Sequence, residues 1–265
     1  MKETKFFVVT HKMFNQPNIY NYYPIVVGNN NFNIPNAYYD NVNVNISYKN
    51  KNFCELTALY WIWKNYNGKG YIALCHYRRY FVNTRFSKNE KSYLTSEKAT
   101  KIMSRYDIIL PTSWGWLNMT VKDWFLNTDG KENDLRELRR VIEKLYPEYI
   151  SAYDEVFNGY MASYLNMMVI SKELMNDYCQ WLFDILFELE KRIDISKYTI
   201  LESRIFGFIS ERLLNVWVKH RKLKVKYLHV LQTDKPLSQK KILKEDLRRI
   251  ILKTGTRKLV VKHTK

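Results

Sequence analysis

The most chemically distinctive run of the sequence is His76-Tyr77-Arg78-Arg79-Tyr80, which directly follows an apolar run over residues 71–75. The apolar run predicts a buried strand, and polar side chains just beyond the carboxyl end of such a strand are placed to contact a ligand. Two guanidinium groups are typical of a diphosphate clamp, because arginine offers a planar fork of donors and keeps its charge. We therefore predict that His76, Arg78 and Arg79 bind an anionic donor substrate. Two alternatives stay open: the arginines could pair with buried carboxylates, or only one of them could face the ligand, since neighbours in an extended segment point opposite ways.

Two other polar residues are candidates for the same donor-binding site. His11 follows the run over residues 5–10, which predicts the first strand, and the end of a first strand often lies beneath a bound nucleotide. A surface histidine is the alternative. Asp40 lies in an Asn-rich segment, residues 29–52, that predicts a long loop. Its carboxylate could accept hydrogen bonds from a ribose or a uracil edge, or simply form a turn.

The segment 198–218 predicts a helix in which Arg204, Gly207 and Glu211 share one face at spacings i, i+3 and i+7. Glycine inside a helix costs about 1 kcal/mol relative to alanine, so Gly207 indicates a close approach to the backbone. We predict that Arg204 positions the substrate and that Glu211 is the first candidate for a general base. A structural ion pair beside a helix crossing is the alternative.

Three further residues complete the predicted site. Asp129 is the second candidate for the base, and Asn166 and Trp116 are expected to help position the substrate. Trp116 belongs to an aromatic segment with Trp114 and Trp124. Amphipathic rings suit sugar-stacking surfaces, although core packing is the ordinary role of most aromatic residues.

The motifs of several common enzyme classes are missing from the sequence. We find no Walker phosphate loop, GxGxxG, HExxH or GxSxG, which argues against NTPases, dehydrogenases, metalloproteases and esterases. No Asp-x-Asp follows a buried strand, and the three cysteines form no CxxC pair. We therefore expect no metal site and no required cofactor. Arginines would then take the role that a metal ion has in related enzymes. A requirement for Mn²⁺ or Mg²⁺ is the alternative.

Charge is distributed unevenly along the 265 residues. Residues 219–265 hold 16 Lys or Arg against three acidic residues, a net charge of +13, whereas residues 1–218 carry only +4 of the total +17. A nucleic-acid enzyme is expected to line its body with positive charge, so we predict that nucleic acid is not a partner. No apolar run reaches the roughly 20 residues that span a bilayer, and no signal-peptide pattern follows Met1. These features predict a cytoplasmic protein.

The last part of the chain predicts a membrane-surface element. Residues 224–230 predict a final strand, and Ser238 can open a helix that Gly255 closes. Within it, apolar residues recur at i, i+4, i+7 and i+8 among Lys and Arg residues. We predict that residues 231–265 form a basic amphipathic tail that docks on the inner face of the cell membrane, with an ordinary solvated helix as the alternative.

The rest of the chain alternates strand-like and helix-like segments, which predicts an α/β fold with a mainly parallel central sheet flanked by helices. Helices are predicted over residues 131–145 and after Ser171, which can act as an N-cap. With 46% hydrophobic and 15% aromatic residues, residues 1–230 are expected to form one domain.

Several long and unusual segments of the sequence resemble those of the DUF4422 family of polysaccharide-biosynthesis glycosyltransferases. They include Asn52-Phe53-Cys54-Glu55-Leu56-Thr57-Ala58-Leu59-Tyr60-Trp61, the segment 71–81 around the two arginines, and the segments 166–170, 178–183 and 204–214. They occur in the family's order over roughly residues 5–230.

The resemblance implies a GT-A-like fold, a UDP-sugar donor, and a glycan or lipid-linked acceptor in capsule or lipopolysaccharide assembly. Galactofuranosyl transfer is known or proposed for relatives, which makes galactofuranose or galactose the expected sugar. We expect displacement at the anomeric carbon, with inversion, in which a carboxylate accepts the proton of the acceptor hydroxyl. The alternative is a non-catalytic scaffold of polysaccharide assembly, or a carbohydrate-binding component, that binds no UDP.

Overall fold

The computed structural model describes residues 2–30, 32–86 and 89–254. Its strands are β1 (Thr4–Thr10), β2 (Tyr22–Val26), β3 (Tyr38–Tyr39), β4 (Tyr71–His76), β5 (Arg79–Val82), β6 (Ile108–Pro111), β7 (Trp114–Gly115), β8 (Met161–Ala162), β9 (Met168–Ser171) and β10 (Val225–Gln232). Its α-helices are α1 (Asn50–Phe53), α2 (Leu56–Asn65), α3 (Ser96–Met103), α4 (Val121–Thr128), α5 (Glu132–Leu145), α6 (Ile150–Phe157), α7 (Lys172–Glu190), α8 (Ile205–His220) and α9 (Gln239–Thr254). Short 3-10 helices cover Ser47–Lys49, Glu90–Ser92, Pro147–Tyr149 and Glu202–Arg204.

The central sheet is mixed, so the prediction of a mainly parallel sheet was wrong. The eight strands have the order β3-β2-β1-β4-β5-β10-β6-β9, and β4 also pairs with β9. The pairs β1–β2, β1–β4, β2–β3 and β6–β10 are parallel. The pairs β4–β5, β5–β10, β4–β9 and β6–β9 are antiparallel. One physical reason lies in the connection between β4 and β5, because only two residues separate His76 from its partner Arg79 and so short a link permits only an antiparallel pair.

Both faces of the sheet are covered. In β1, Phe7 and Val9 belong to the larger hydrophobic core, whereas Phe6 and Val8 belong to a second core on the other face. Successive side chains of a strand point to opposite faces of the sheet. A strand that is buried on both faces therefore needs an unbroken run of apolar residues. The larger core packs the sheet against α2, α5, α6, α7 and α8. This layer fixes the strand ends that carry the candidate site.

The predicted helices are found with some shifted boundaries. Helix α5 ends at Leu145 as predicted, and Ser171 caps α7 by accepting a hydrogen bond from the Leu174 amide at 3.2 Å, which confirms that cap. The predicted helix over residues 198–218 starts later. A turn in which the Thr199 amide donates to Glu202 Oε2 at 2.8 Å precedes it, and a 3-10 helix leads into α8.

The Asn-rich segment is not one long loop, because it contains β3, a 3-10 helix and the start of α1. The predicted last strand corresponds to β10, and the predicted tail helix corresponds to α9. The predicted end of that helix at Gly255, and the rest of the predicted tail, lie outside the described residues. The division of the chain at residue 230 stays a prediction. In the described part of the chain, none of the helices has the length and apolar character that crossing a membrane requires.

Candidate active site

A cavity of about 310 Å³ lies at the carboxyl ends of the parallel strands β1, β2 and β4. This is the edge of an open α/β sheet at which ligands bind, and the volume suits a small organic ligand. The lining residues come from three strand ends, the hairpin after β4, the helix α1, the start of α2 and the approach to α8. They are Val9, His11, Val27, Asn50, Lys51, Cys54, Glu55, His76, Tyr77, Arg78, Arg79 and Arg204.

The charges of this cavity favour an anion. Four cationic side chains, Lys51, Arg78, Arg79 and Arg204, line it against one carboxylate, that of Glu55. Confining several cations around one concave site raises the local concentration of negatively charged ligands. Both arginines of the hairpin line the cavity, and Arg204 joins them from a segment more than a hundred residues away.

The two hairpin arginines differ in their partners. Arg78 Nη1 pairs with Asp234 Oδ2 at 2.6 Å, and the Arg78 carbonyl accepts a hydrogen bond from the Thr233 amide at 2.9 Å. Arg78 therefore has a carboxylate partner, but this partner is exposed, whereas the alternative was pairing with a buried carboxylate. Within residues 2–30, 32–86 and 89–254, Arg79 makes no ion pair. Arg79 is the hairpin cation whose charge is not already offset by a carboxylate.

His76 is held as a neutral ring. Its Nε2 lies 2.7 Å from the Leu165 carbonyl oxygen, and a carbonyl only accepts, so Nε2 carries a proton. In the neutral ring Nδ1 is then an acceptor. Burial lowers the pKa of His76, although the neighbouring Glu55 side chain opposes that shift. A neutral imidazole at this position can accept a hydrogen bond from a hydroxyl group of a ligand.

His11 lies on the cavity rim at the end of β1 and packs edge-on against the ring of Tyr77, with ring centroids 5.3 Å apart. Partial burial lowers the pKa of His11, and the positive charges of Lys12, Arg78 and Arg204 add to that effect. An incoming phosphate group would reverse the contribution of these charges, because it neutralises them.

Glu55 was missed by the sequence reasoning. It is the residue just before α2 and lines the cavity, and its Oε1 accepts a hydrogen bond of 2.6 Å from Asn166 Nδ2. Asn166 also donates to the Gly207 carbonyl at 3.1 Å. The predicted substrate-positioning role of Asn166 stays a prediction, but its side chain orients a carboxylate of the cavity. No spacing in the sequence marks Glu55, because its surroundings come from distant segments.

The backbone is strained at two places beside the cavity. Cys54 has φ of +52°, and the consecutive residues Leu165 and Asn166 have φ of +83° and +51°. Residues other than glycine rarely adopt this left-handed backbone conformation, and those that do are concentrated at functional sites. The Leu165 carbonyl oxygen accepts the hydrogen bond from His76 Nε2, so this bend fixes the histidine.

Gly207 permits the close approach that its position predicted, and the approaching group belongs to the protein. A Cβ added to Gly207 would lie 3.2 Å from Cys54 Sγ. The same sulfur accepts a hydrogen bond from Arg204 Nε at 3.2 Å, and burial raises the pKa of the Cys54 thiol to about 11. The thiol is therefore an uncharged packing group that positions the Arg204 guanidinium.

Glu211 and Asp129, the two predicted bases, are brought together on Arg212, whose side chain is 1% exposed. Arg212 pairs with Asp129 and, at 3.2 Å, with Glu211. Glu211 also accepts a hydrogen bond from the Leu165 amide at 2.9 Å, and burial raises the pKa of Glu211 to about 7. Neither carboxyl group is among the residues lining the cavity.

Asp40 and Trp116 lie outside the cavity lining. Asp40 is fully buried and accepts a hydrogen bond from the Gly28 amide at 2.9 Å, and burial raises the pKa of its carboxyl group. Trp116 packs against Trp124 with ring centroids 5.2 Å apart. The Arg248 guanidinium of α9 lies 4.7 Å from the centroid of the Trp116 ring. In the described part of the chain, no group of three or more His, Cys, Asp or Glu residues could hold a metal ion.

A positively charged cavity at the strand ends of a mixed α/β domain resembles the sites at which other α/β proteins bind phosphorylated ligands. The fold is similar to that of a glycosyltransferase, the WbbM bifunctional glycosyltransferase in its apo structure, with a TM-score of 0.80 and 30% sequence identity. The match covers 89% of this chain and 46% of that chain.

The model of the family DUF4422, a domain of unknown function, matches residues 5–222, and the chain belongs to this family. A search of curated proteins finds no match. Because the chain spans less than half the length of the WbbM chain, the similarity concerns one part of that bifunctional protein.

Proposed function

We propose that the chain is a glycosyltransferase that binds a UDP-sugar in the cavity and transfers the sugar to a glycan or lipid-linked acceptor of a bacterial surface polysaccharide. The observation that carries the proposal is the convergence of Lys51, Arg78, Arg79 and Arg204 at the carboxyl ends of parallel strands. The similarity to WbbM, itself a bifunctional glycosyltransferase, supports it. Galactose or galactofuranose is the proposed sugar, and capsule or lipopolysaccharide the proposed product.

In this proposal the cationic side chains hold the diphosphate and stabilise the departing UDP. Arg79 and Arg204 would contact the phosphate oxygens, because Arg78 already forms an ion pair with Asp234. Charge develops on the leaving phosphate as the bond to the anomeric carbon breaks, and fixed cations in a cavity stabilise that charge more than water does. The neutral ring of His76 would accept a hydrogen bond from a sugar or ribose hydroxyl.

Glu55 is the proposed general base. Among the described residues that line the cavity it is the one carboxylate, and the 2.6 Å hydrogen bond from Asn166 orients it. The acceptor oxygen would form a bond to the anomeric carbon, the bond from that carbon to UDP would break, and the hydroxyl proton would pass to the carboxylate, with inversion. Glu211 and Asp129 remain candidates, but each would have to leave its contact with Arg212.

The nucleotide proposal is tested by calorimetry and thermal shift with UDP, UDP-galactose and UDP-galactofuranose, each with and without Mn²⁺ or Mg²⁺. Replacing Arg79 with alanine should weaken UDP binding by about 10- to 100-fold, the cost of losing a charge-assisted contact. Arg105→Ala is the matched control, because Arg105 is exposed and does not line the cavity. Absence of UDP binding at millimolar concentration would favour the scaffold alternative.

The choice of base is tested by comparing Glu55→Gln, Glu211→Gln and Asp129→Asn in single-turnover assays. Loss of the base should slow transfer by about 10²- to 10⁴-fold while UDP binding stays within a few fold. Glu97→Gln, at an exposed position, is the control. If Glu55→Gln retained near-normal transfer and Glu211→Gln did not, the base would be Glu211.

A further inference from the structure

Helix α9 turns an apolar stripe away from the protein. Leu243, Leu247 and Ile250 are spaced i, i+4 and i+7, and their exposed fractions are 52%, 59% and 55%. The apolar stripe of a surface helix normally faces the core of its own domain. Here more than half of the surface of each of these side chains faces water, so the stripe is not packed into the core of the described chain.

The charged residues of α9 also differ in exposure according to the sign of their charge. Lys240, Lys241, Lys244 and Lys253 are exposed, and the exposed positions of the helix within the described range include no acidic residue. Of the two acidic side chains, Asp246 is buried and Glu245 is half-buried. Lys240, Lys244 and Lys253 flank the stripe around the helix, so this exposed surface is both apolar and positively charged. We call it the α9 outer face.

Contacts with the rest of the protein hold α9 in this orientation. Asp246 pairs with Arg85, which follows β5, and with Arg249 at 2.8 Å. The Arg248 guanidinium lies over the ring of Trp116, which follows β7. A helix fixed to the body by its acidic and arginine side chains cannot rotate its leucines inward without breaking these contacts.

We propose that the α9 outer face docks on the surface of a bilayer that contains anionic phospholipid. Aliphatic side chains flanked by lysines fit the boundary between headgroups and acyl chains, where the chains bury the aliphatic groups and lipid phosphates attract the ammonium groups. A nucleic acid would match the lysines but leave the aliphatic stripe in water. The charge pattern and the stripe together thus select a lipid surface.

Docking in this way would also place the cavity near the membrane, a consequence that rests on the proposed function. Asp234, which binds the cavity residue Arg78 at 2.6 Å, precedes the first residue of α9, Gln239, by five positions. Five residues span at most about 18 Å, so the start of the docking helix lies within that distance of Asp234. A lipid-linked acceptor could then reach the cavity while its lipid stays in the bilayer.

The test is flotation of the full chain with vesicles of phosphatidylcholine alone or mixed with phosphatidylglycerol. The chain should float with the mixed vesicles, and Leu243→Glu/Leu247→Glu/Ile250→Glu should abolish flotation. Ile200→Glu/Leu201→Glu, at side chains 82% and 55% exposed elsewhere on the surface, is the matched control and should float like the wild type.

A second series separates charge from insertion. Each of the changes Lys240→Gln and Lys244→Gln should weaken partitioning to mixed vesicles by about fivefold. Because all these positions are exposed, the variants should keep the wild-type unfolding curve. Absence of wild-type flotation, or flotation that the leucine and lysine changes leave intact, would overturn the docking proposal. Neither result would bear on UDP binding, which is measured without vesicles.

Discussion

Single residues of this protein carry charge in two different settings. Arg79 and Arg204 line an open cavity, whereas Arg212 is buried and holds two carboxyl groups, those of Asp129 and Glu211. Taking charges out of water is costly, and one arginine cannot fully compensate two carboxylates. One of the two is then expected to keep a proton near neutral pH, which agrees with the raised pKa of Glu211.

The stability of the protein should therefore depend on pH through Glu211. Burial raises the pKa of this group from 4.5 to about 7, so between these values the folded state binds more protons than the unfolded state. A group of this kind makes the free energy of unfolding fall as pH rises through that window, by up to about 3 kcal/mol. Glu211→Gln keeps an acceptor for the Leu165 amide but has no proton to lose.

The measurement is urea denaturation of the wild type and Glu211→Gln at pH values from 4.5 to 8. The unfolding free energy of the wild type, minus that of the variant, should decrease steadily between pH 4.5 and 7 and then level off. Glu97→Gln, exposed and in α3, should show no such trend. A difference that stayed constant with pH would mean that Glu211 is ionised throughout.

At the scale of elements, the contact of α1 with α8 depends on the absence of a side chain at Gly207. An alanine Cβ there would lie 3.2 Å from Cys54 Sγ and 3.4 Å from its Cβ, which is tighter than ordinary packing. Cys54 has little room to move, because its backbone is already left-handed and its sulfur contacts Arg204. We expect Gly207→Ala to lower the free energy of unfolding by about 1–3 kcal/mol through overpacking.

A double-mutant cycle checks the cause of that loss. Cys54→Ala removes the sulfur, so Gly207→Ala should cost less in a Cys54→Ala background than in the wild type, and chemical denaturation gives all four free energies. Equal costs in both backgrounds would place the strain elsewhere.

The elements also show what a single sequence can and cannot predict. The strand β4 and the helices α5 and α7 follow from local apolar patterns and a cap, and the cavity residues His76, Arg78 and Arg79 follow from their position after a buried strand. The antiparallel insertion of β9 does not follow, because a strand buried on both faces has the same apolar pattern in either direction.

The same limit applies to contacts between side chains that are far apart in the sequence. Glu55 reaches Asn166, 111 positions later, and Arg212 reaches Asp129, 83 positions earlier. Neither pair has a spacing that helix or strand periodicity could reveal, since the partners meet only when the elements pack. Gly207 is intermediate: its position predicted a close approach, but not that Cys54 makes it.

At the scale of the whole molecule, the positive charge is divided between two separate surfaces. The cavity residues Lys51, Arg79 and Arg204 lie at the strand ends, whereas the α9 outer face lies on a helix fixed by Arg85 and Arg248. The residues that line the cavity and those of the α9 outer face do not overlap. The two surfaces are therefore expected to act independently.

The last prediction follows from that independence. Arg79→Ala should weaken UDP binding and leave vesicle flotation unchanged, whereas Lys240→Gln/Lys244→Gln should weaken flotation and leave the Kd for UDP within about twofold. Calorimetry and flotation on the same preparations of both variants measure the two properties side by side. If the lysine changes weakened UDP binding as much as they weakened flotation, α9 would contribute to the nucleotide site, and the positive charge of the tail would belong to one continuous binding surface.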